Sequence, residues 1–522
     1  MRGTADILVA GAGPAGLALA LQAHDHGAAV RVVDRRAEAA RPSRALILHS
    51  RTLEVLRPLG VTQALLARSD ITPTADLQLG SRLVRVMLAD LALPDTAFPH
   101  LSLIRQMEVE RVLAGALADR GVEIERGTEL TGLHDEPGGV RVFLRSPTGV
   151  EEAWSGFVVG CDGPSSTVRA QAGIGWPGRV YPVEVVLADA ELEGDLAGDA
   201  ARIVAGRRGL VFAFRLGERA TWRLLATRAA GAGQSPPGQF GPPVPAAEMQ
   251  ALMDEAGLGA QIAELAWSSR VRLQRRVAGT FRRGQLYLAG DAAHAYSPAT
   301  GQGMNAGIQD AVNLGWKLAF AAARPGAGRR LLESYDRERR PVARQVLAMT
   351  HLAFWAEASL GPVPSALRGR VGPLAAPLVP AVIGRRRLVA EAVRLVSQLG
   401  VSYRHSPLSV EGTPRRRGGP HAGDRLPDEL VSSAGRTIRL HDLLARPGVH
   451  ILLDRDADRL GALPPSRFVS VHRLTSSPGR GLVAVRPDGY VGFRGQTAET
   501  GQLATWLAWL AAEQRRPVPE GR

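Results

Sequence analysis

Three short apolar runs, residues 7–10, 157–160 and 286–289, each lead into a glycine-bearing turn with helical periodicity beyond it. This predicts a strand, a turn and a helix three times over. The helices are expected at 17–26, after the Ser/Thr-rich turn at 164–167, and from about 304 through 320. A second strand at 29–33 closes on Asp34, an apolar helical stripe begins at Met107, and 122–125 and 139–144 read as strands. From about 180 to 277 the pattern changes to strand-like pieces at 183–190, 209–214 and 222–226, a Gly/Pro-rich loop at 231–245 and a helix near 246–255. Helices at 331–342 and 343–358 follow, and the Pro/Gly/Arg-rich stretch 402–425 reads as a linker. Beyond it come strands at 449–453, 468–471, 482–485 and 490–493, with a turn at Arg486-Pro-Asp-Gly489, and a helix at 497–513. No internal repeat is present.

Composition narrows this to an ordinary multidomain chain. At 522 residues, 45% hydrophobic and 22% charged, there is room for two or three domains with sizeable cores. The formal net charge of +14 would suggest nucleic acid, yet Lys317 is the single lysine and the arginines are scattered. The charge therefore reads as compositional bias, and the runs 385–387 and 415–417 as solvated faces or linker. Cys161 is the single cysteine, so neither an internal disulfide nor a cysteine metal cluster can form, and no metal site is expected. The first strand begins almost at once, which leaves no room for a signal peptide, and the apolar stretch 360–383 is broken by five prolines. The expectation is a cytoplasmic protein without a membrane span or a nucleic-acid partner.

The three turns carry the chemistry. Gly11-Ala-Gly13-Pro-Ala-Gly16 is a G-x-G-x-x-G turn between strand and helix, with Asp34 18 positions after the last glycine. Gly11 permits the tight turn, Gly13 a close approach to a pyrophosphate, Gly16 helix packing, and Asp34 can accept from a ribose hydroxyl. In the third stretch, a Pro298/Gly301/Gly303 turn opens a helix whose free N–H groups and dipole suit a negative or developing-negative oxygen. Asp291 suits a hydroxyl-rich ligand instead. One anion contact and one sugar-like contact at the third turn, with a dinucleotide turn at the N-terminus, indicate a large two-ended cofactor.

Gly-x-Gly-x-x-Gly with its acid, then Cys161-Asp162-Gly163, then Gly290-Asp291 followed by Pro298-x-x-Gly-x-Gly-x-Asn305, resemble in order and spacing the class A flavoprotein monooxygenases, the para-hydroxybenzoate hydroxylase-like family. The wording of 290–318 and the extra C-terminal segment are most similar to the aromatic polyketide hydroxylase and rifampicin monooxygenase branch. The resemblance covers nearly the whole chain. It implies an α/β (α+β overall) fold: a Rossmann-like FAD-binding domain (1–178 and 278–400, with closing helices), an inserted antiparallel-sheet substrate domain (179–277), a linker (402–425) and a thioredoxin-like C-terminal domain (426–522) that holds no cysteine. It also implies FAD, NAD(P)H as transient reductant, O2 and a small aromatic substrate, in a monomer or homodimer.

Residue by residue, the resemblance implies that Gly11, Gly13, Pro14, Ala15, Gly16, Asp34 and Arg35 hold one end of FAD. Arg44 would approach the pyrophosphate, Gln106 the ribityl or phosphate region, with Asp162, Gly290 and Asp291 beside it. Pro298 would pack beside the isoalloxazine, and the backbone at Gly301, Gly303, Met304 and Asn305 would stabilise charge on it; Pro298, Gly301 and Gly303 form the expected catalytic environment. The implied reaction is hydroxylation of a polycyclic aromatic or phenolic substrate through a flavin C4a-hydroperoxide, with Baeyer–Villiger insertion, epoxidation or oxygen-free flavin dehydrogenation as the alternatives. Halogenation is disfavoured, because Lys317 lies deep in a helix and Trp506 and Trp509 have the wrong spacing. No side-chain base is assigned: His49 and His294 are candidates, with satisfied structural histidines as the competing reading. Arg51 reads equally as a first-turn helix residue or a ligand. Phe212, Phe214, Arg215, Trp222 and Arg223 are pocket candidates that read equally well as sheet residues.

Overall fold

A computed structural model describes residues 5–38, 46–71, 73–79, 82–89, 91–194, 200–206, 209–215, 222–230, 238, 241–324, 328–359, 361–371, 374, 377, 379–413, 418–433, 435–457, 466–475, 481–496 and 500–510. Arg44 and the run 415–417 lie outside them.

The three apolar runs of the sequence become neighbours in one sheet. Its order is Arg282–Arg283, Leu286–Leu288, Gly149–Gly160, Ala5–Ala10, Val30–Asp34 and Ile124–Arg126, and the last five are mutually parallel. Ala10 pairs with Gly160 and Gly160 with Leu288, so the three glycine-bearing turns leave the sheet side by side at its carboxyl edge. In open α/β sheets that edge is where ligands bind. Helices Pro14–Asp25 and Gln302–Ala323 pack together over one face; the apolar stripe of the first (Leu17, Leu21) and of the second (Ile308, Leu314, Leu318) are fully buried in a common core.

The second sheet is larger than the sequence suggested. Its order is His294–Ala295, Ala260–Val277, Gly178–Gly194, Trp222–Ala229, Gly209–Arg215, Ala201–Gly206, Thr74–Leu79 and Arg82–Met87. Two corrections follow. The hairpin Thr74–Met87 falls inside the span expected for the nucleotide domain, yet it completes this sheet, because Ala201–Gly206 leaves an edge that Thr74–Leu79 fills in parallel. The strand Ala260–Val277, 18 residues long, was not anticipated; its apolar positions are diluted by Arg270, Arg272, Arg275 and Arg276, and it is held by the antiparallel ladder to Gly178–Gly194. Helix Ala246–Ala256 covers the outer face through Met249 and Met253, and helix Arg329–Ala358 covers the inner face through Phe354.

The C-terminal sheet runs Val410–Glu411, Val491–Gln496, Gly481–Val485, Val449–Leu453, Val469–Arg473. Val449–Leu453 is parallel to Val469–Arg473 and antiparallel to Gly481–Val485, which is antiparallel to Val491–Gln496, and helix Thr500–Trp509 follows. That is the arrangement of a thioredoxin core. The linker expected at 402–425 is a further correction. Tyr403, Ser406, Leu408 and Arg425 are buried, Val410–Glu411 is an edge strand, and Arg425 is paired to Glu54 and Asp95. Ser406 and Arg425 thus serve an interior seam, while Arg404 and His421 stay at the surface. Arg385, Arg386 and Arg387 are exposed, in agreement with a solvated face. No helix among the described residues is long and apolar enough to cross a membrane.

Candidate active site

A cavity of about 920 Å³ begins at the three turns and continues beneath the second sheet. Its first wall is the N-terminal glycine turn. A Cβ on Gly16 would stand 1.9 Å from the Gly11 carbonyl oxygen, so this glycine lets the helix sit directly on the turn. Gly11 has φ +104°, open only to glycine at low cost, and a Cβ there would lie 2.4 Å from the Cys161 carbonyl oxygen. A Cβ on Gly13 or Gly303, by contrast, would meet nothing within 4 Å. These two line the cavity, where the backbone is bared to a ligand. Pro14, Ala15, Gly290 and Gly301 line it as well.

Asp34 ends the second strand and lines the same wall. Its Oδ2 accepts from the Ala12 amide at 2.8 Å, and its carboxylate is clamped by Arg36, Nη2 at 2.8 Å and Nε at 3.0 Å. Burial alone would raise its pKa, but the bonds from Arg36 and Ala12 hold it below the usual carboxylate range. Arg36 was not singled out in the sequence; its signal was the Asp34-Arg-Arg run. Arg35 also lines the cavity. Gln106 and Glu110 stand together at this end, Gln106 Nε2 donating to Glu110 Oε1 at 2.8 Å, and burial raises the Glu110 carboxyl.

The middle turn places Asp162 against the cavity. One oxygen, Oδ2, accepts from the Thr167 and Val168 amides at 2.7 and 3.2 Å and so caps helix Thr167–Gln171; Oδ1 is buried and, among the described residues, lacks a geometric hydrogen-bond partner. An orphaned acceptor in a cavity wall asks for a ligand donor. Asp291 sits in the short turn Gly290–Ala292 and lines the cavity too.

That turn is held from behind. Asp310 Oδ2 accepts from the Gly290 amide at 3.2 Å and from His294 Nε2 at 2.5 Å, and Oδ1 accepts from Arg339 Nε at 2.6 Å, all fully buried. Thr300 and Gly301 both have φ +64°, a left-handed pair just before helix Gln302–Ala323. His49 Nε2 donates to the Thr300 carbonyl at 2.9 Å, and Asn305 Nδ2 donates to the Ile47 and Gly301 carbonyls at 2.8 Å. Asn305 Oδ1 in turn accepts from the His49 amide at 2.9 Å. His49 and His294 therefore brace the turn from behind, and neither lines the cavity. Burial brings His49 down to about 4, only partly offset by its bond to Thr300. Pro298, Gly303 and Met304 line the cavity; Asn305 and Gly16 stand behind the wall.

Under the second sheet the cavity is apolar. Phe212 and Phe214 line it, stacked at 5.6 Å and 12°, with Leu210, Leu225, Leu273 and Phe354 around them. Three other pocket candidates fall elsewhere. Trp222 faces helix Ala246–Ala256, Arg223 is buried in an ion pair with Asp189, and Arg215 is exposed. Arg51 is buried and bonded to Glu54 and the Asp488 carbonyl, so it joins domains rather than touching the cavity. Lys317 lies outside the cavity, paired to Glu338 at 2.7 Å. Arg272, Phe354 and Glu357 line the cavity and were not foreseen. Glu357 had a readable signal, since it continues the apolar stripe of its helix with an acid.

A parallel sheet with three ligand turns at its carboxyl edge, an aromatic-lined chamber beside them and bared glycines between defines a dinucleotide-dependent enzyme. The FAD binding domain family matches residues 4–350, and the chain belongs to it. The 6-methylpretetramide 4-monooxygenase of Streptomyces rimosus is 33% identical, with 99% of this chain and 97% of that protein aligned. The rifampicin monooxygenase of Streptomyces venezuelae is 31% identical over 97% and 99%. The solved anhydrotetracycline hydroxylase of Streptomyces rimosus superposes with a TM-score of 0.76 at 28% identity, over 98% of this chain and all of that one. The protein is a flavoprotein monooxygenase that uses FAD, with NAD(P)H as donor.

Proposed function

We propose that this enzyme hydroxylates a polycyclic, polyketide-like aromatic or phenolic substrate held in the chamber between Phe212, Phe214 and Phe354. One observation carries the reading: the aromatic chamber and the glycine-walled cradle are a single cavity, so a flat ring system in one lies against whatever fills the other. The substrates in the relatives' names, 6-methylpretetramide and rifampicin, are large fused-ring compounds that fit such a chamber in kind.

In this reading Gly11, Gly13, Pro14, Ala15 and Asp34 with Arg35 and Arg36 hold the adenosine and pyrophosphate end of FAD. Gln106, Asp162, Gly290 and Asp291 receive its middle, and the backbone of Pro298, Gly301, Gly303 and Met304 faces the ring system. Arg44 joins them by resemblance alone. FAD held there would supply hydride acceptance from NAD(P)H and activation of O2, the chemistry by which one oxygen atom enters a substrate and the other leaves as water. The chain supplies the setting. Amides at the start of helix Gln302–Ala323, with its positive dipole end, stabilise negative charge beside Gly303. Asn305 and His49 fix that turn before any ligand arrives, and the apolar chamber orients the ring and keeps water away. The protein works in the cytosol, as a monomer or homodimer. Residues 179–277 with the hairpin Thr74–Met87 form the substrate domain.

The test is oxygen tracing. FAD-loaded protein is given NADPH, or NADH, under isotopically labelled O2 with a panel of fused-ring phenols. Substrate-accelerated NAD(P)H oxidation with one labelled oxygen in an aromatic product is expected. Labelled lactone or epoxide would replace hydroxylation with the corresponding insertion, and oxidised substrate without label would make the enzyme a dehydrogenase.

A further inference from the structure

The helix Arg329–Ala358 connects the flavin-side turn to the far end of the chamber. Its Thr350 carbonyl accepts from Ser297 Oγ at 3.0 Å, beside Pro298. Thr350, Phe354 and Glu357 are spaced i, i+4, i+7 and share one face. Phe354 packs edge-on against Tyr181 at 4.9 Å, and both Phe354 and Glu357 line the cavity. Seven residues of helix rise about 10 Å, and helical side chains lean toward the N-terminus, so the Glu357 carboxyl overlies the Phe354 turn.

Glu357 has no hydrogen bond or ion pair with any described residue. Charged groups on the elements around this end of the helix are Arg215, Arg272 and Arg275 on the strands, His351 on the helix itself and Arg370 beyond it. None of them pairs with Glu357, and burial is the one cause that lifts its carboxyl to about 7. A partly buried carboxylate left without a donor is an unusual thing to keep in a wall made largely of Leu and Phe, whose other polar members are Thr227, Arg272 and Gln274. A donor brought by the ligand satisfies it, and the donor that suits an aromatic-lined chamber is a ring hydroxyl.

We propose that Glu357 is a catalytic base that takes the phenolic proton of the substrate. This rests on the hydroxylase reading. The phenol O–H bond breaks, an O–H bond forms on Glu357, and the negative charge moves from the carboxylate to the ring oxygen. The ring is thereby made more electron-rich at its ortho and para carbons, where oxygen is added. No electron is gained or lost in this step.

Binding provides a readout independent of turnover. The probes are 2-naphthol and 2-methoxynaphthalene, measured by calorimetry on the FAD-loaded protein at about pH 6 and about pH 8, where a naphthol hydroxyl stays protonated. Ionised Glu357 accepts from the hydroxyl but not from the ether. Between those pH values a carboxyl with a pKa near 7 goes from about a tenth to about nine tenths ionised, so the preference for the naphthol should rise about tenfold. In Glu357→Gln the preference should be flat with pH, and Glu357→Asp should keep part of the rise. Flavin content and melting temperature report that both variants fold. With a phenol that the enzyme turns over, kcat in Glu357→Gln should fall about 10²–10³-fold and lose its acid limb. A preference that still rises in Glu357→Gln, or a kcat unchanged there, overturns the proposal while oxygen tracing leaves the hydroxylase reading intact. If instead no phenol gains oxygen but the pH-dependent preference vanishes in Glu357→Gln, the hydroxylase reading fails and Glu357 remains a hydroxyl-binding site.

Discussion

Gly13 and Gly16 sit one helical turn apart and tolerate a methyl group very differently. On Gly16 it would meet the Gly11 carbonyl at 1.9 Å, backbone that cannot yield without moving the helix. On Gly13 it would meet no protein atom within 4 Å. Gly16→Ala is therefore expected to destabilise the FAD-free protein by about 1–3 kcal/mol and to lose flavin as a consequence. Gly13→Ala should leave the FAD-free protein within about 0.5 kcal/mol of the parent and still lose flavin, because the added carbon fills space meant for the ligand. Thermal melts without FAD, with flavin retained per chain after gel filtration, separate the two. Full flavin retention by Gly13→Ala would remove Gly13 from the cradle. The same residue-scale logic distinguishes Asp34 from Asp162. Both line the cavity, but Asp34 has its oxygens engaged by Arg36 and Ala12, whereas Asp162 keeps one oxygen orphaned.

Helix Gln302–Ala323 with its preceding turn is the element on which the site depends. Asn305, fully buried, makes two hydrogen bonds to residues 47–49 and a third to the Gly301 carbonyl of the turn. Asn305→Ala leaves an amide and two carbonyls without partners, which should lower stability by about 2–4 kcal/mol and weaken FAD binding, read as the denaturation midpoint and a flavin titration. Asn305→Asp should be no better, because its second oxygen would face the Ile47 and Gly301 carbonyls; recovery of parental FAD affinity by that variant would show that the clasp is not what sets the turn. Elements of this kind were legible in the sequence because their signals are local: an apolar run, a glycine turn, an acid at the strand end, all within about 25 residues. Strand Ala260–Val277 and the hairpin Thr74–Met87 were not, since their partners lie far away in the chain and their arginines break the apolar pattern. Arg425 misled for the opposite reason. In a Pro/Gly/Arg-rich stretch it reads as solvated, and only the fold reveals that Glu54 and Asp95 wait for it. Roles of His49 and Asn305 were likewise hidden, because what they hold is 250 residues away in sequence.

The whole molecule is locked by charges buried between its parts. Glu338, on the long helix, accepts from Arg486 Nη1 and Nη2 and from Lys317 Nζ, each at 2.7 Å, and from Ser406 Oγ at 2.5 Å. Arg486 belongs to the C-terminal unit and Lys317 to the flavin domain. Trp316 and Phe320 share one apolar core with Val449, Leu482, Phe493 and Trp506, so the seam is hydrophobic as well as ionic. Burial alone would raise Glu338, but Arg486 and Lys317 hold it well below the ordinary value of 4.5; Arg425 does the same for Glu54. A carboxyl depressed by folding contributes stability that is fully present above its unfolded pKa and lost as pH falls through its folded pKa. Melting temperature should therefore be flat near neutrality with respect to these two groups and drop steeply below about pH 4.5. Glu338→Gln should be about 3–5 kcal/mol less stable at neutral pH, since it leaves buried Lys317 without its ion-pair carboxylate and Arg486 with Asp488 alone, and its acid slope should be shallower because one carboxyl fewer titrates. Because core and charges are shared, both proteins should melt in one transition, with FAD release coincident. If the C-terminal unit melted first while FAD stayed bound, the seam would be a contact between independent domains, and neither the acid slope nor the Glu338→Gln deficit would register in flavin release.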